Sequence, residues 1–362
     1  MSRRFGGLDK KADLLYKDRP VDRLSWLQEV FPEWGTFLNE EIEDTVVEEG
    51  NVALWWLGAC GYWLKTPKNT DILIDNFCGP SLAARWDIGE PDTPYGVLRQ
   101  TGAKSQVWLR LNPQIIDPFA IKKLDALLST HPHADHCDIY TIKPLVKNTG
   151  CKFIGPPRSC RKFEDFKVPK DRIVEVAPGD EVKINEMTVK TLEGADRTAL
   201  FEGKDVPKDM NETAVNYLIK THAGNFYHAG DSHYSNMFFK HGRENKVDVA
   251  MIAFGDNPSG MTDKMTAYDA YRVAKALNTK VLMPMHYDNW AIVQGDPAEL
   301  EWIVKKKAPT MKVVILQWGI KFLYPKDQDI GRAVYPKQEE ESIPDRSWEY
   351  GKKPKIFMRV EE

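Results

Sequence analysis

Three of the chain's eight histidines fall within one six-residue run, His131-Pro132-His133-Ala134-Asp135-His136. An apolar segment at 124–130 leads into it and reads as a buried strand. Histidines on the loop after such a strand are held by stiff backbone yet stay reachable. His131 and His133 are two apart, so in extended chain their rings point to the same side and can share one ion. Asp135 and His136 follow across a turn and can face a second ion. The alternative is a surface loop that is merely rich in histidine. The metal reading constrains the fold, because a catalytic ion takes three or four protein ligands plus an open position. One loop cannot supply that for two ions, so other strand ends must converge on it.

Two candidates stand at such ends. Asp231, in Tyr227-His228-Ala229-Gly230-Asp231-Ser232-His233, follows a strand and is placed to bridge two ions. His286, in Met283-Pro284-Met285-His286, ends another. A lone histidine is ordinarily a hydrogen-bonded core residue; the strand-end position argues for a ligand here. Asp75 ends the apolar run 72–75 and is either a support behind the ligands or a turn residue.

The periodicities predict an α/β layered sheet. Helical spacing covers 24–31, closed by Pro32, and a second short helix reaches Asp44. Strands are expected at 52–57, 62–66 and 72–76, with a hairpin tip at Lys68-Asn69. A helix should run from near Asp138 to just before Gly150, followed by strand 152–156, helix 158–166 and strand 172–177. A hairpin at 181–192 and a strand pair at 214–220 and 226–228 come next. Then follow strand 247–254, helix 267–277, strand 280–285, helix 299–307 and strand 313–318. Residues 79–118 have weak periodicity and read as a lid or an oligomer contact. The expected organisation is a loosely ordered arm at 1–22, one hydrolase domain at 23–324 and a surface tail at 325–362.

With 362 residues, 42% of them hydrophobic, the chain can bury a sizeable core. A net charge of −3 speaks against a long nucleic acid as partner. Five cysteines without a C-x-x-C pair imply no disulfide framework and fit a reducing compartment. Arg3-Arg4 is followed by charged residues rather than an apolar stretch, so no secretory signal and no membrane span is read; the cytoplasm is the expected location.

The order H-x-H-x-D-H, then Gly-Asp, then a late strand-end histidine resembles the metallo-β-lactamase superfamily. Finer features resemble its L-ascorbate-6-phosphate lactonase family: Trp55-Trp56-Leu57-Gly58, Asp196-Arg197-Thr198-Ala199, Ala214-Val215-Asn216-Tyr217, His228 to Ser235, and Gly260-Met261-Thr262-Asp263-Lys264-Met265. Phe31-Pro32-Glu33-Trp34-Gly35 and Leu38-Asn39-Glu40-Glu41-Ile42 add to it, and the likeness runs from about residue 24 to 325. It implies an αββα sandwich with metal loops along one edge, and a manganese-dependent, cytoplasmic, homo-oligomeric enzyme.

One departure stands out. Asp196 falls where most superfamily members place a third histidine. Oxygen in place of nitrogen hardens the site and favours manganese over zinc; the other readings are one weak ion site, or Asp196 as a cap or partner of Arg197. The resemblance implies one or two divalent ions held by His131, His133, Asp196 and Asp231, and by Asp135, His136, His286 and Asp231. It implies hydrolysis of the lactone ring of L-ascorbate 6-phosphate to 3-keto-L-gulonate 6-phosphate. Asp135 would orient or deprotonate the water, and His233 would protonate the leaving oxygen. Arg197 and Lys264 would take the substrate phosphate. The competing reading is a phosphodiesterase of the same superfamily, acting on a small phosphodiester or cyclic nucleotide.

Overall fold

The computed structural model describes residues 21–23, 26, 38–79, 110–196, 209–257, 264–291 and 293–333. Side-chain alternation builds its first sheet. β1 (Val52–Gly58), β2 (Gly61–Lys65) and β3 (Asp71–Ile74) are buried along their whole length. Successive strand residues face opposite sides, so such a strand must be apolar on both. Ala53, Trp55 and Leu57 of β1 enter one core, while Val52, Leu54 and Trp56 enter another. β4 (Ala126–Leu128), β5 (Lys152–Gly155) and β6 (Ile173–Glu175) continue the sheet in parallel from β3.

The second sheet also has seven strands, each beside the next in sequence: β7 (Glu181–Ile184), β8 (Met187–Glu193), β9 (Val215–Lys220), β10 (Asn225–His228), β11 (Val249–Ala253), β12 (Val281–Met285) and β13 (Lys312–Val313). Its inner residues, among them Tyr217, Phe226, Met251 and Met283, share one core with the inner face of the first sheet.

Helices close both outer faces. α1 (Asn39–Asp44), α2 (Ile139–Asn148) and α3 (Pro157–Asp165) contribute Ile42, Ile142, Leu145 and Phe163 to the core outside the first sheet. α4 (Met237–Glu244), α5 (Ala267–Ala276) and α6 (Pro297–Lys307) place Phe238, Ala270, Val273 and Leu300 outside the second. The layers are therefore helix, sheet, sheet, helix, as the αββα reading requires.

Three elements differ from the sequence reading. The single strand expected at 313–318 is split: Val314 N–H bonds Leu282, while Ile315 N–H turns to Gly331. β14 (Ile315–Leu316) thus pairs with β16 (Arg332–Ala333) in a small separate sheet. β15 (Lys321–Tyr324) was not expected; it returns to the first sheet and pairs antiparallel with β1. α4 was also missed. Of the expected helix at 24–31, Trp26 is described: its ring is fully buried and its Nε1 donates to the Cys78 carbonyl at 2.8 Å. The lid expected within 79–118 falls mainly on residues outside those described, as do most of the arm and of the tail.

Candidate metal centre

The ligand candidates stand at the carboxyl ends of parallel strands, where ligand crevices form in open α/β sheets. β3 leads to Asp75, β4 to the His131–His136 loop, β10 to Asp231 and β12 to His286; β8 runs on to Asp196. Asp75 and His286 have left-handed backbone, φ 44° and 65°. Such residues cost about 1–3 kcal/mol each and persist where the surroundings fix them. Here Asp75 N–H bonds Leu128 at 3.0 Å, and His286 N–H bonds Ala59 at 3.0 Å. Gly230, φ 49°, lies against the metal loop: a Cβ there would come within 2.6 Å of Thr130 Oγ1. Asp138 caps α2 through Tyr140 and Thr141 N–H, which ends the loop immediately after Cys137.

Two ligand groups result. In the first, Asp196 Oδ2 is 3.4 Å from His131 Nε2 and 3.5 Å from His133 Nδ1, and the two ring nitrogens are 2.8 Å apart. Burial, with His136 and His133 beside it, holds His131 well below the usual imidazole range, so it stays neutral, the state a ligand needs. His131 Nδ1 faces Thr130 Oγ1 at 3.0 Å, which orients the ring.

In the second group, Asp231 Oδ2 is 3.4 Å from Nε2 of both His136 and His286. Asp135 Oδ2 is 3.3 Å from His286 Nε2 and 3.7 Å from His136 Nε2. Cys60 joins from the β1–β2 turn, its Sγ 3.5 Å from Asp231 Oδ1. Nε2 of His136 and both ring nitrogens of His286 are buried and make no hydrogen bond among the described residues. Donors around one ion at about 2.1 Å lie about 3–3.5 Å from one another. These spacings and the unsatisfied nitrogens fit a divalent ion.

Charge in this second group is strongly coupled. Burial alone would lower His136, but Asp231, Asp135 and Asp75 hold it well above the usual range. Burial works the same way on His286, and Asp231 leads the groups that push it up to about 9. Burial would raise the Asp135 carboxyl, yet His136 and His286 hold it well down. Asp231 is likewise held down, against burial, by His286, Lys264 and His136.

The structure brings six of the expected residues into ligand distance of one another in these groups, with Asp135 alongside as the seventh. Asp231 stands with the second group, and its charge also acts on His131. His233 is buried beside the first group, its Nδ1 3.3 Å from the carbonyl oxygen of Ala195, the neighbour of Asp196. Arg197 lies outside the described residues. Lys264 departs from the phosphate expectation: its Nζ is bonded to Asp231 and its side chain is only 3% exposed, so its charge is engaged inside the ligand cluster.

Asp75 resolves as a support rather than a turn residue. It accepts from Thr130 N–H at 2.8 Å and Thr130 Oγ1 at 2.6 Å, and faces His136 Nδ1 at 2.9 Å. A carboxylate behind a ligating histidine fixes its tautomer and raises its basicity. Asn289 and Trp290, not singled out in the sequence, both donate to Asp135 Oδ2, at 3.3 and 3.1 Å. Their nearness to His286 in sequence was the one available signal.

Comparison with known proteins agrees with this architecture. Residues 71–287 match the beta-lactamase superfamily domain model. The chain is 42% identical, over 89% of its length and 94% of the relative's, to "Probable L-ascorbate-6-phosphate lactonase UlaG" of Salmonella choleraesuis. It is 43% identical over the same shares to the protein of that name from Escherichia fergusonii. Among solved structures it resembles Igni18, a metallo hydrolase from Ignicoccus hospitalis, with TM-score 0.53, 18% identity, and 76% of this chain and 98% of that one covered. It also resembles the isothiocyanate hydrolase from Delia radicum gut bacteria, with TM-score 0.57, 16% identity, and 75% and 98% covered. At such identities the structural likeness speaks for the fold alone.

Proposed function

The chain belongs to the beta-lactamase superfamily domain family, and on that premise we propose that it is a metal-dependent lactonase that opens the ring of L-ascorbate 6-phosphate. The observation that carries this reading is the 42% identity, sustained over 89% of the chain, with relatives bearing the lactonase name. In the reaction water adds across the acyl C–O bond of the ring. The carbonyl carbon becomes a carboxylate, the ring oxygen leaves as a hydroxyl, and the product is 3-keto-L-gulonate 6-phosphate.

His131, His133 and Asp196 would hold one divalent ion, and His136, His286, Asp135 and Asp231 are spaced for another. When bound, such an ion supplies Lewis acidity, polarising a carbonyl and acidifying water. The chain's own groups do the rest. Asp135, kept ionised and aimed by Asn289 and Trp290, orients the attacking water and accepts its proton at Oδ2. His233, donating from Nδ1 to the Ala195 carbonyl, would deliver a proton from Nε2 to the leaving ring oxygen as the imidazolium, and the proton that Asp135 takes from water would restore it. Arg197 supplies the planar fork that suits a phosphate.

Manganese is the proposed ion, because Asp196 brings oxygen where a nitrogen ligand would favour zinc. A cytoplasmic location is consistent with five free, buried cysteines. Among the described residues no helix is long and apolar enough to cross a membrane. A homo-oligomer would use exposed rings on the outer helices, such as Phe239, Tyr268 and Trp302. The test is to incubate the manganese-loaded protein with L-ascorbate 6-phosphate and, separately, with bis(p-nitrophenyl) phosphate. Ring opening of the first and inertness of the second are expected. The reverse would move the chain to phosphodiester chemistry.

A further inference from the structure

We propose that Lys264 is a built-in cation of the second ligand group, placed to weaken ion binding there and leave the first group as the tight site. The Lys264 ammonium is bonded to Oδ2 of Asp231. That same oxygen stands 3.4 Å from Nε2 of His136 and 3.4 Å from Nε2 of His286. The ammonium therefore occupies the oxygen that an ion between the two histidines would use.

The placement is constructed rather than incidental. Lysine is almost never fully buried unless it is paired. The backbone of Lys264 is fixed independently of its side chain: its N–H donates to Asn257 Oδ1 at 2.9 Å, and its carbonyl accepts from Asn257 Nδ2 at 2.7 Å.

The charge balance gives the ammonium its effect. Asp231 and Asp135 meet in the second group, with Asp75 behind His136. Those carboxylates attract a cation strongly, and Lys264 already answers part of that field. A divalent ion sharing Oδ2 with an ammonium is repelled by it at close range and low dielectric. In the first group the contacts among His131, His133 and Asp196 are those of imidazoles with one carboxylate. The two groups should therefore differ in affinity by design, with one resident ion and one fixed organic cation. This inference rests on the metal reading above but not on the identity of the substrate.

The test uses the full-length protein, stripped with chelator and titrated with manganese alone. Bound metal is counted by atomic emission, and competition with a chromophoric chelator gives each Kd. Wild type should hold one tight ion per chain, with a second at least ~100-fold weaker. Lys264→Met should tighten that second ion by about 100-fold and bring the count to two. Lys264→Arg keeps the charge and should behave as wild type. If Lys264→Met fails to fold, as judged by circular dichroism, Lys264→Gln serves in its place. Two equal, tight ions in wild type, or an unchanged second Kd in the uncharged variants, would overturn the proposal. Absence of any bound ion in all variants would remove the metal reading itself, and this proposal with it.

Discussion

The two ligand groups adjoin, with the ring centroids of His131 and His136 3.9 Å apart, yet the chain prepares them in different ways. Behind the second group stand Asp75 on His136, Asn289 and Trp290 on Asp135, and Lys264 and Cys60 on Asp231. Its histidine side chains are fully buried, its carboxylates are held ionised, and its histidines are pushed toward the protonated state. The first group has a neutral His131, and His133 keeps 13% of its side chain exposed. A ligand imidazole must be neutral to bind. His131 of the first group is therefore already in the state a ligand needs, whereas in the second group the carboxylates hold the histidines toward the protonated state and Lys264 engages Asp231. Rigid support and readiness to bind are separate properties, and here they fall to different halves of one site.

Substitutions can break that contrast. His131→Ala should lower the hydrolysis rate by ~1,000-fold or more by removing the ready group, with circular dichroism and melting temperature close to wild type. Asp231→Ala should lose as much activity and also destabilise the fold by about 3 kcal/mol, measured by urea titration, because Lys264 is left buried without its carboxylate. Equal stability of the two variants would remove the special burden placed on the second group.

Asp75→Asn takes the carboxylate from behind His136. Manganese affinity of the second group should fall ~10–100-fold while that of the first is unchanged, as read by chelator competition. A uniform loss at both groups would show that Asp75 acts through the metal loop as a whole, which it also grips through Thr130.

The smallest expected effect lies three residues ahead of Asp196. Glu193 accepts from Lys240 and faces His241 at 2.8 Å, anchoring the end of β8. Burial would raise its carboxyl, but these partners bring it down to about 2. A carboxyl lowered on folding adds stability that is present above its unfolded value, near 4.5, and lost as pH falls from there toward 2. Melting temperatures at pH 7, 5 and 3.5 should show Glu193→Gln less stable at pH 7, the gap closing with acid. A constant gap would exclude this ionic anchor.

The strands and the histidine loop were legible because their information is local. The apolar runs of β1 and β3, the Asp138 cap and the H-x-H-x-D-H spacing all lie within a few residues. What escaped depends on distant contacts. Lys264 meets Asp231 only through tertiary folding, so its charge looked free to bind phosphate. Cys60 meets Asp231 across 171 positions. α4 was hidden by Gly242, a weak helix former, whose Cβ would fall 2.2 Å from the Ala276 carbonyl oxygen; close packing against the end of α5 requires glycine where propensity would refuse it. β15 is four residues long and gains its strand character by pairing with β1.

The most direct measurement is the initial rate of ring opening of L-ascorbate 6-phosphate before chelation, after exhaustive chelation, and after return of manganese. The rate should vanish on chelation and recover with about one equivalent of manganese per chain, and His131→Ala should not recover. Full activity in the metal-stripped protein, or in His131→Ala, would contradict a metal-dependent lactonase built on these two groups.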